Sequence, residues 1–157
     1  MPPRHSVTID VDAPPRRVWA LVTDVEHMGQ LSPECVGGEW LDGATAPEVG
    51  ARFRGHNRRG EVRWSTTCEV VEVEPNRVFA FAVGGAARPS CTWRYELEPR
   101  RGGRSTRVTE SFELPRPLSA FRRFVTRSSI KVADREADLV HGMERTLAAL
   151  KSLAEGR

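Results

Sequence analysis

Three polar side chains that fall among apolar ones on predicted strands are the residues best suited to chemistry. Glu110 and Tyr95 each lie between two apolar residues of the same strand face, and Asn57 shares a face with Phe53. A buried carboxyl group must be paired or have a raised pKa, and a raised pKa suits it to act as acid or base. Glu110, Tyr95 and Asn57 are therefore candidate catalytic residues. Pairing of Glu110 with an arginine, or a wet position at the mouth of the sheet, is the simpler alternative, and we favour it over catalysis.

Aromatic side chains recur on the predicted strands and could line a pocket. Ligand pockets are mostly apolar, with a few polar groups that fix the orientation of the ligand. A filled core is an equal alternative for any single aromatic residue. The predicted ligand-binding residues are Phe53, Asn57, Trp64, Phe79, Phe81, Trp93, Tyr95, Glu110, Phe112 and Met143.

Metal and cofactor sites are not predicted. No two of the four histidines have the spacing of metal ligands, and Cys35, Cys68 and Cys91 are too widely separated for a zinc motif or a disulfide framework. We interpret these cysteines as buried free thiols in a reducing compartment. The sequence has no nucleophile elbow, phosphate-binding loop or dinucleotide fingerprint.

Length and composition indicate one globular domain of 157 residues, covering 1–157. The net charge is 24 − 21 = +3, a mild excess that gives no reason to predict nucleic-acid binding. The N-terminus lacks the apolar segment of a signal peptide, and no apolar run approaches the roughly 20 residues of a membrane span. The predicted location is the cytoplasm.

The N-terminal part predicts a strand and two helices. Alternation of Val7, Ile9 and Val11 indicates a strand with one apolar face. Pro14 suits the first position of a helix, and the apolar stripe from Val18 to Val25 follows it. A short second helix then runs to Ser32–Pro33.

The rest of the chain predicts a sheet and a long helix. Alternation and turn residues indicate strands at 35–41, 51–59, 61–74, 79–83, 91–98 and 108–114, with a bulge where Val70 and Val71 adjoin. Short connections favour an antiparallel meander. A helix from Asp134 carries an apolar stripe between Leu139 and Leu150, which we expect to pack on the concave face of the sheet.

A basic and apolar segment, from Arg116 to Lys131, has two interpretations. Its arginines could contact an anionic membrane or an acidic partner. Alternatively, its apolar residues cover the mouth of a cavity while its charges are solvated, and we favour this lid over membrane contact.

Several stretches resemble the START-like (helix-grip) superfamily, and in particular its bacterial polyketide cyclase/dehydrase-like (SRPBCC) branch. These are Asp12-Ala13-Pro14 with Val18-Trp19, Thr23 to Glu26 with Leu31 to Pro33, Gly50 to Asn57, Thr92 to Leu97, and Gly142 to Glu144 with Leu147 and Leu150-Lys151. The resemblance covers nearly the whole chain. It implies an α+β helix-grip fold: a curved antiparallel sheet of six to seven strands around a long C-terminal helix, with two short helices after the first strand.

The resemblance is more specific for the fold than for the function, because function depends on the residues of the cavity and not on the fold. Our first hypothesis is binding, or transport, of a small hydrophobic ligand such as a lipid or polyketide. One alternative is a polyketide cyclase/dehydratase-like enzyme, and another is a closed-core interaction or stress-response module. The scarcity of convergent acid and base residues favours binding over catalysis, and a filled core without a pocket would contradict both ligand hypotheses. The sequence makes no prediction of the oligomeric state.

Overall fold

The computed structural model describes residues 4–114 and 132–156. They form one sheet, two α-helices and two short 3-10 segments, of which the first is called the short helix below. In chain order the elements are strand β1 (Arg4–Val11), helix α1 (Pro15–Val22), the short helix (Val25–Gln30), strands β2 (Cys35–Trp40), β3 (Arg52–Arg59), β4 (Val62–Glu74), β5 (Val78–Val83) and β6 (Cys91–Arg100), a tight turn (Arg101–Gly103), strand β7 (Ser105–Glu113) and helix α2 (Val132–Glu155).

The sheet has seven strands in the order β1-β7-β6-β5-β4-β3-β2, and every neighbouring pair is antiparallel. Strands β2 to β7 form the predicted meander, and β1, the first strand of the chain, pairs with β7. The register shifts between Val70 and Glu72, where the adjoining valines predicted a bulge. The curved sheet and the long C-terminal helix confirm the predicted α+β helix-grip fold.

The start of α1 differs by one residue from the prediction. Pro14 caps the helix in an extended conformation, and Pro15 occupies the first helical position, where a missing N–H leaves no bond unmade. The helix ends at Val22, so Val25 of the predicted apolar stripe belongs to the short helix instead. Both valines are fully buried, and the stripe therefore contributes to the core through two elements.

Helix α2 packs on β1 and β7 and contacts α1. Its buried side chains Leu147, Leu150 and Ala154 join the main core with Val11 and Val18. This contact buries the apolar stripe predicted on the last helix. Burial of the stripe contributes to the hydrophobic stabilisation of the fold.

The C-terminal end of α2 is fixed to the β1–α1 connection by polar contacts. Arg17 donates to the carbonyl oxygens of Ala154 at 2.5 Å and Leu153 at 3.1 Å. Lys151 Nζ donates to the Asp10 carbonyl at 2.8 Å, and the Asp12 N–H donates to Glu155 Oε2 at 2.8 Å. The last carbonyl groups of a helix have no partner within it, so Arg17 satisfies two of them.

The basic segment from Arg116 to Lys131 lies outside the described residues. Within residues 4–114 and 132–156, no helix is long and apolar enough to span a membrane.

Two glycines allow the short helix to lie directly against β2. A Cβ atom on Gly38 would stand 2.7 Å from the Val25 carbonyl oxygen, and one on Gly29 would stand 2.7 Å from the Val36 carbonyl oxygen. Both contacts are with backbone atoms, which cannot turn away as a flexible side chain would. The close approach of these two elements therefore depends on the missing side chains.

Substitution of Gly38 by alanine should separate the short helix from β2. We expect Gly38→Ala to lower the free energy of unfolding by about 1–3 kcal/mol, the usual cost of forcing extra atoms into a packed region. Gly37→Ala is the matched control, since no atom lies within 4 Å of its Cβ position. Urea unfolding of both variants measures the difference, and equal stabilities would contradict the packing described here.

Candidate functional site

A cavity of about 430 Å³ lies between the concave face of the sheet and α2. Ligand pockets in proteins range over roughly 300–1,000 Å³, so this volume fits a small organic molecule. Strands β3 to β7 provide one wall, the short helix and the turn after it provide Met28 and Leu31, and α2 provides Met143 and Thr146. Met143 and Thr146 are buried, and so is Leu31.

Seven of the ten predicted ligand-binding residues line this cavity. They are Phe53, Asn57, Phe81, Trp93, Tyr95, Glu110 and Met143. Phe53 and Phe81 contact each other edge to face with ring centroids 5.0 Å apart, and Trp40 packs on the far side of Phe53 at 5.6 Å. These rings form an aromatic cluster, of which Phe53 and Phe81 line the cavity and give an apolar ligand a large contact area.

The other three predicted residues lie outside the cavity wall. Phe79 is fully buried and packs edge to face with Trp19 of α1, with centroids 6.2 Å apart. Phe112 stacks on His5 at 4.9 Å, beyond the cavity. Trp64 pairs with Asn57 across β3 and β4 but is not one of the residues that line the cavity.

Glu110 and Tyr95 are directly opposite each other on β7 and β6, so their side chains share the concave face. Their exposed fractions are 3% and 7%. Neither simpler alternative for Glu110 fits, because the group beside it is the Tyr95 hydroxyl rather than an arginine or bulk water. The two strongest catalytic candidates from the sequence are therefore brought together at the cavity wall.

Burial dominates the electrostatics of this pair. Loss of hydration raises the pKa of Glu110 to about 8, although the hydrogen bond from Tyr95 lowers it in part. Burial, the neighbouring Glu110 charge and the same hydrogen bond all raise the pKa of Tyr95 well above its usual value. Both groups are therefore largely neutral at neutral pH. The hydrogen bond lowers the pKa of Glu110 because the Tyr95 hydroxyl donates to the ionised form of the carboxyl group.

One carboxyl oxygen of Glu110, Oε2, is buried without a hydrogen-bond partner among the described residues. Buried polar atoms are nearly always paired, so an orphan of this kind in a cavity wall indicates that something else supplies the missing bond.

Sequence analysis missed several residues of the wall. Thr66 and Cys68 follow Trp64 on the same face of β4, and Gly55 lies between Phe53 and Asn57 on β3. Thr146 interrupts the apolar stripe of α2. A hydroxyl group inside an apolar stripe, or a glycine between two inward side chains, is the signal that could have identified them.

The exposed rim of the cavity is charged. Arg59 of β3 pairs with Asp138 of α2, and Arg58 donates to the Gly60 carbonyl at 2.9 Å. His141 and Arg145, on exposed positions of α2, also border the opening. The Arg59–Asp138 ion pair connects the sheet to the helix across the rim.

The cysteines are free, as the sequence indicated, but only Cys68 is fully buried, and Cys35 and Cys91 are half-buried. Burial raises the pKa of Cys68 to about 12 and also raises that of Cys35, which disfavours the reactive thiolate in both. His56 faces away from Asn57, as predicted, and contacts Ser65 at 2.9 Å. Among the described residues, no group of three or more His, Cys, Asp or Glu side chains is placed to hold a metal ion.

Comparisons with solved structures agree with this architecture. A polyketide-cyclase-like protein from Corynebacterium glutamicum, solved by NMR, is 34% identical, with a TM-score of 0.54 over 99% of this chain and 88% of that chain. A protein from Nitrosomonas europaea has a TM-score of 0.71 at 17% identity, covering 98% of this chain and 94% of that chain. A protein from Thermus thermophilus reaches 0.66 at 18% identity, covering 98% of both chains. These two share the fold.

The sequence also matches a protein family along nearly its whole length. No protein of curated function matches it significantly. The family described as polyketide cyclase / dehydrase and lipid transport matches residues 2–155, a range that includes every residue of the cavity wall. This chain belongs to the polyketide cyclase/dehydrase and lipid transport family.

Proposed function

We propose that this protein binds, or transports, one small hydrophobic molecule such as a lipid or polyketide in the cavity between the sheet and α2. The observation behind this proposal is the cavity itself, about 430 Å³ in volume and lined by the aromatic cluster around Phe53 and Phe81. Protein interiors are otherwise packed with few voids larger than a water molecule, so a space of this size is unusual in a domain whose only role is stability.

The cavity also weighs against a closed-core interaction or stress-response module, since that function needs no internal space. Family membership supports a hydrophobic ligand at the level of the family only. The cytoplasm remains our prediction for the location of the protein.

Native mass spectrometry of protein purified from its own host tests the proposal directly. A co-purified small molecule of constant mass would support it. Binding of the fluorescent probe N-phenylnaphthylamine provides a second measurement that does not require the natural ligand.

Filling the cavity should abolish probe binding. Gly55 lines the wall, and its Cβ position is 3.5 Å from Thr66 Oγ1, an ordinary contact. We expect Gly55→Leu to place its side chain in the cavity and to weaken probe binding by about tenfold or more, a loss of roughly 1.4 kcal/mol or more. Gly37→Leu is the control, because Gly37 pairs with the outward-facing His56 and its Cβ position is open.

Equal probe affinity in both leucine variants would show that the probe binds elsewhere. Absence of any binding to the wild-type protein, together with absence of a co-purified molecule, would contradict the proposal.

A cyclase/dehydratase-like enzyme is the second candidate, and the Glu110–Tyr95 pair favours it. A carboxyl group with a pKa of about 8 can both accept and return a proton near neutral pH. Exchange of the methyl hydrogens of acetylnaphthalene for deuterium, followed by NMR, tests this role. Catalysed exchange that disappears in Glu110→Gln would support it, and exchange no faster than in buffer would contradict it.

A further inference from the structure

Glu110 is a residue of the cavity wall with an unsatisfied hydrogen-bonding atom. Its side chain is 3% exposed, it lines the cavity, and its Oε2 has no hydrogen-bond partner among the described residues. Leaving a buried polar atom unpaired costs the free energy of its lost hydration without return. A ligand that pairs with this oxygen would recover that cost and would gain orientation at the same time.

The neighbours of Glu110 along and across its strand are apolar apart from Tyr95. Val7 lies opposite Glu110 on β1, and Val108 and Phe112 flank it on the same face of β7. Val108 and Phe112 are almost fully buried. None of these three side chains can donate or accept a hydrogen bond, so among the residues directly opposite or flanking Glu110 only Tyr95 carries a hydrogen-bonding group.

The protonation of the pair determines which kind of group is missing. At neutral pH burial keeps the carboxyl group mostly protonated, since its pKa is raised to about 8. Tyr95 is the neighbour that interacts with the carboxyl group, and Oε2 is the buried oxygen left without a partner. With the carboxyl proton on Oε2, this atom is a hydrogen-bond donor without an acceptor.

We infer that the ligand carries an uncharged hydrogen-bond acceptor, of the carbonyl class, and that Glu110 Oε2 donates a hydrogen bond to it inside the cavity. This inference rests on the proposed function and adds a specificity-determining residue to it. The apolar body of the ligand would contact the aromatic cluster, while its carbonyl oxygen fixes its direction.

A cationic ligand fits the same place less well. It would require the ionised carboxylate, which burial disfavours, and it would itself lose hydration among apolar side chains. Two other acids line the cavity, Glu34 after the short helix and Asp138 of α2, and Asp138 is engaged by Arg59 at the rim. A ligand with no polar group would leave Oε2 unpaired.

Two probes of nearly equal shape test the inference. Acetylnaphthalene carries a carbonyl group, and ethylnaphthalene replaces it by a methylene group. Their affinities are measured by calorimetry at about pH 6, where Glu110 is protonated, for wild type, Glu110→Met and Glu110→Gln. The ratio of the two affinities, compared between variants, cancels the different hydration of the free probes.

We expect the preference for the ketone to be about tenfold greater in wild type than in Glu110→Met, since methionine has no donor. Glu110→Gln should retain the preference, because its amide group donates in place of the carboxyl group. The infrared carbonyl stretch of bound acetylnaphthalene should shift to lower frequency in wild type than in an alkane solvent, a measurement that needs no variant.

An equal ratio in wild type and Glu110→Met, or an unshifted carbonyl stretch, would overturn the inference and leave the proposed function standing. The first result is also expected if a bound water molecule satisfies Oε2. Failure of both of these probes and of N-phenylnaphthylamine to bind to the wild type, together with absence of a co-purified molecule, would instead overturn the proposed function, and the inference with it.

Discussion

Between about pH 5 and about pH 9, the stability of the wild-type protein relative to its Glu110→Gln variant is expected to fall by about 4 kcal/mol. The pKa of Glu110 rises from 4.5 to about 8 on folding. Between these two values the folded protein holds a proton that the unfolded chain has released, so stability decreases as the pH increases. The contribution is complete below the unfolded pKa and is lost as the pH rises through the folded one. Glutamine has no proton to lose, and its variant lacks this dependence.

Urea unfolding of both proteins across this pH range measures the difference. Other titrating groups contribute alike to the two proteins and cancel. Within the wall, Tyr95 and Cys68 remain protonated in this range because their pKa values are raised further, and the pKa of Cys35 is raised as well. Glu113→Gln is the matched control, since Glu113 lies on the same strand, faces the other side of the sheet and is half-exposed. If the difference in free energy of unfolding between wild type and Glu110→Gln stays constant with pH, Glu110 is hydrated or paired with a cation.

Truncation of Phe79 should lower the free energy of unfolding strongly and should leave ligand affinity almost unchanged. Phe79 is fully buried against Trp19 and Phe81, and its loss leaves an enclosed void. We expect Phe79→Ala to lower the free energy of unfolding by about 3–5 kcal/mol, a large share of the 5–15 kcal/mol typical of a whole domain. Affinity for N-phenylnaphthylamine should stay within about twofold of wild type, because Phe79 does not touch the cavity.

Phe53→Ala is the informative comparison, since Phe53 is equally buried but lines the cavity. Its loss should cost a similar free energy of unfolding and should also change probe affinity, because the freed volume joins the binding space. Guanidinium or urea unfolding with and without the probe separates the two effects. A Phe79→Ala variant that loses probe binding while still folded would place Phe79 in the site after all.

The same two phenylalanines show what sequence periodicity can and cannot predict. Alternation placed Phe79 and Phe81 on one face of β5, and both do face the concave side. Only Phe81 reaches the cavity, because Trp19 of α1 covers Phe79. That cover comes from a contact between distant parts of the chain, which local alternation does not encode.

Buried polar residues are a second feature that sequence periodicity does not predict. The last strand was predicted to begin at Val108, but it begins at Ser105 and includes Thr106, whose exposed fraction is 0%. The Thr106 hydroxyl donates to the Ala13 carbonyl at 2.8 Å, a partner that the sequence does not reveal. By contrast, the burial of Glu110 could be predicted, since apolar neighbours at alternating positions marked its face as buried.

The pairing of β1 with β7 has a consequence for how the chain folds during synthesis. Thr8 and Thr109 lie 101 positions apart and meet across this pair, whereas β2 to β7 can form by short hairpins. Closing so long a loop is entropically slow, so we expect the meander to form first and β1 to join it late. Helix α2, which covers the concave face, is synthesised after all seven strands. The nascent chain therefore exposes its aromatic cavity wall until α2 has emerged from the ribosome, and this interval is when the protein most needs protection from aggregation.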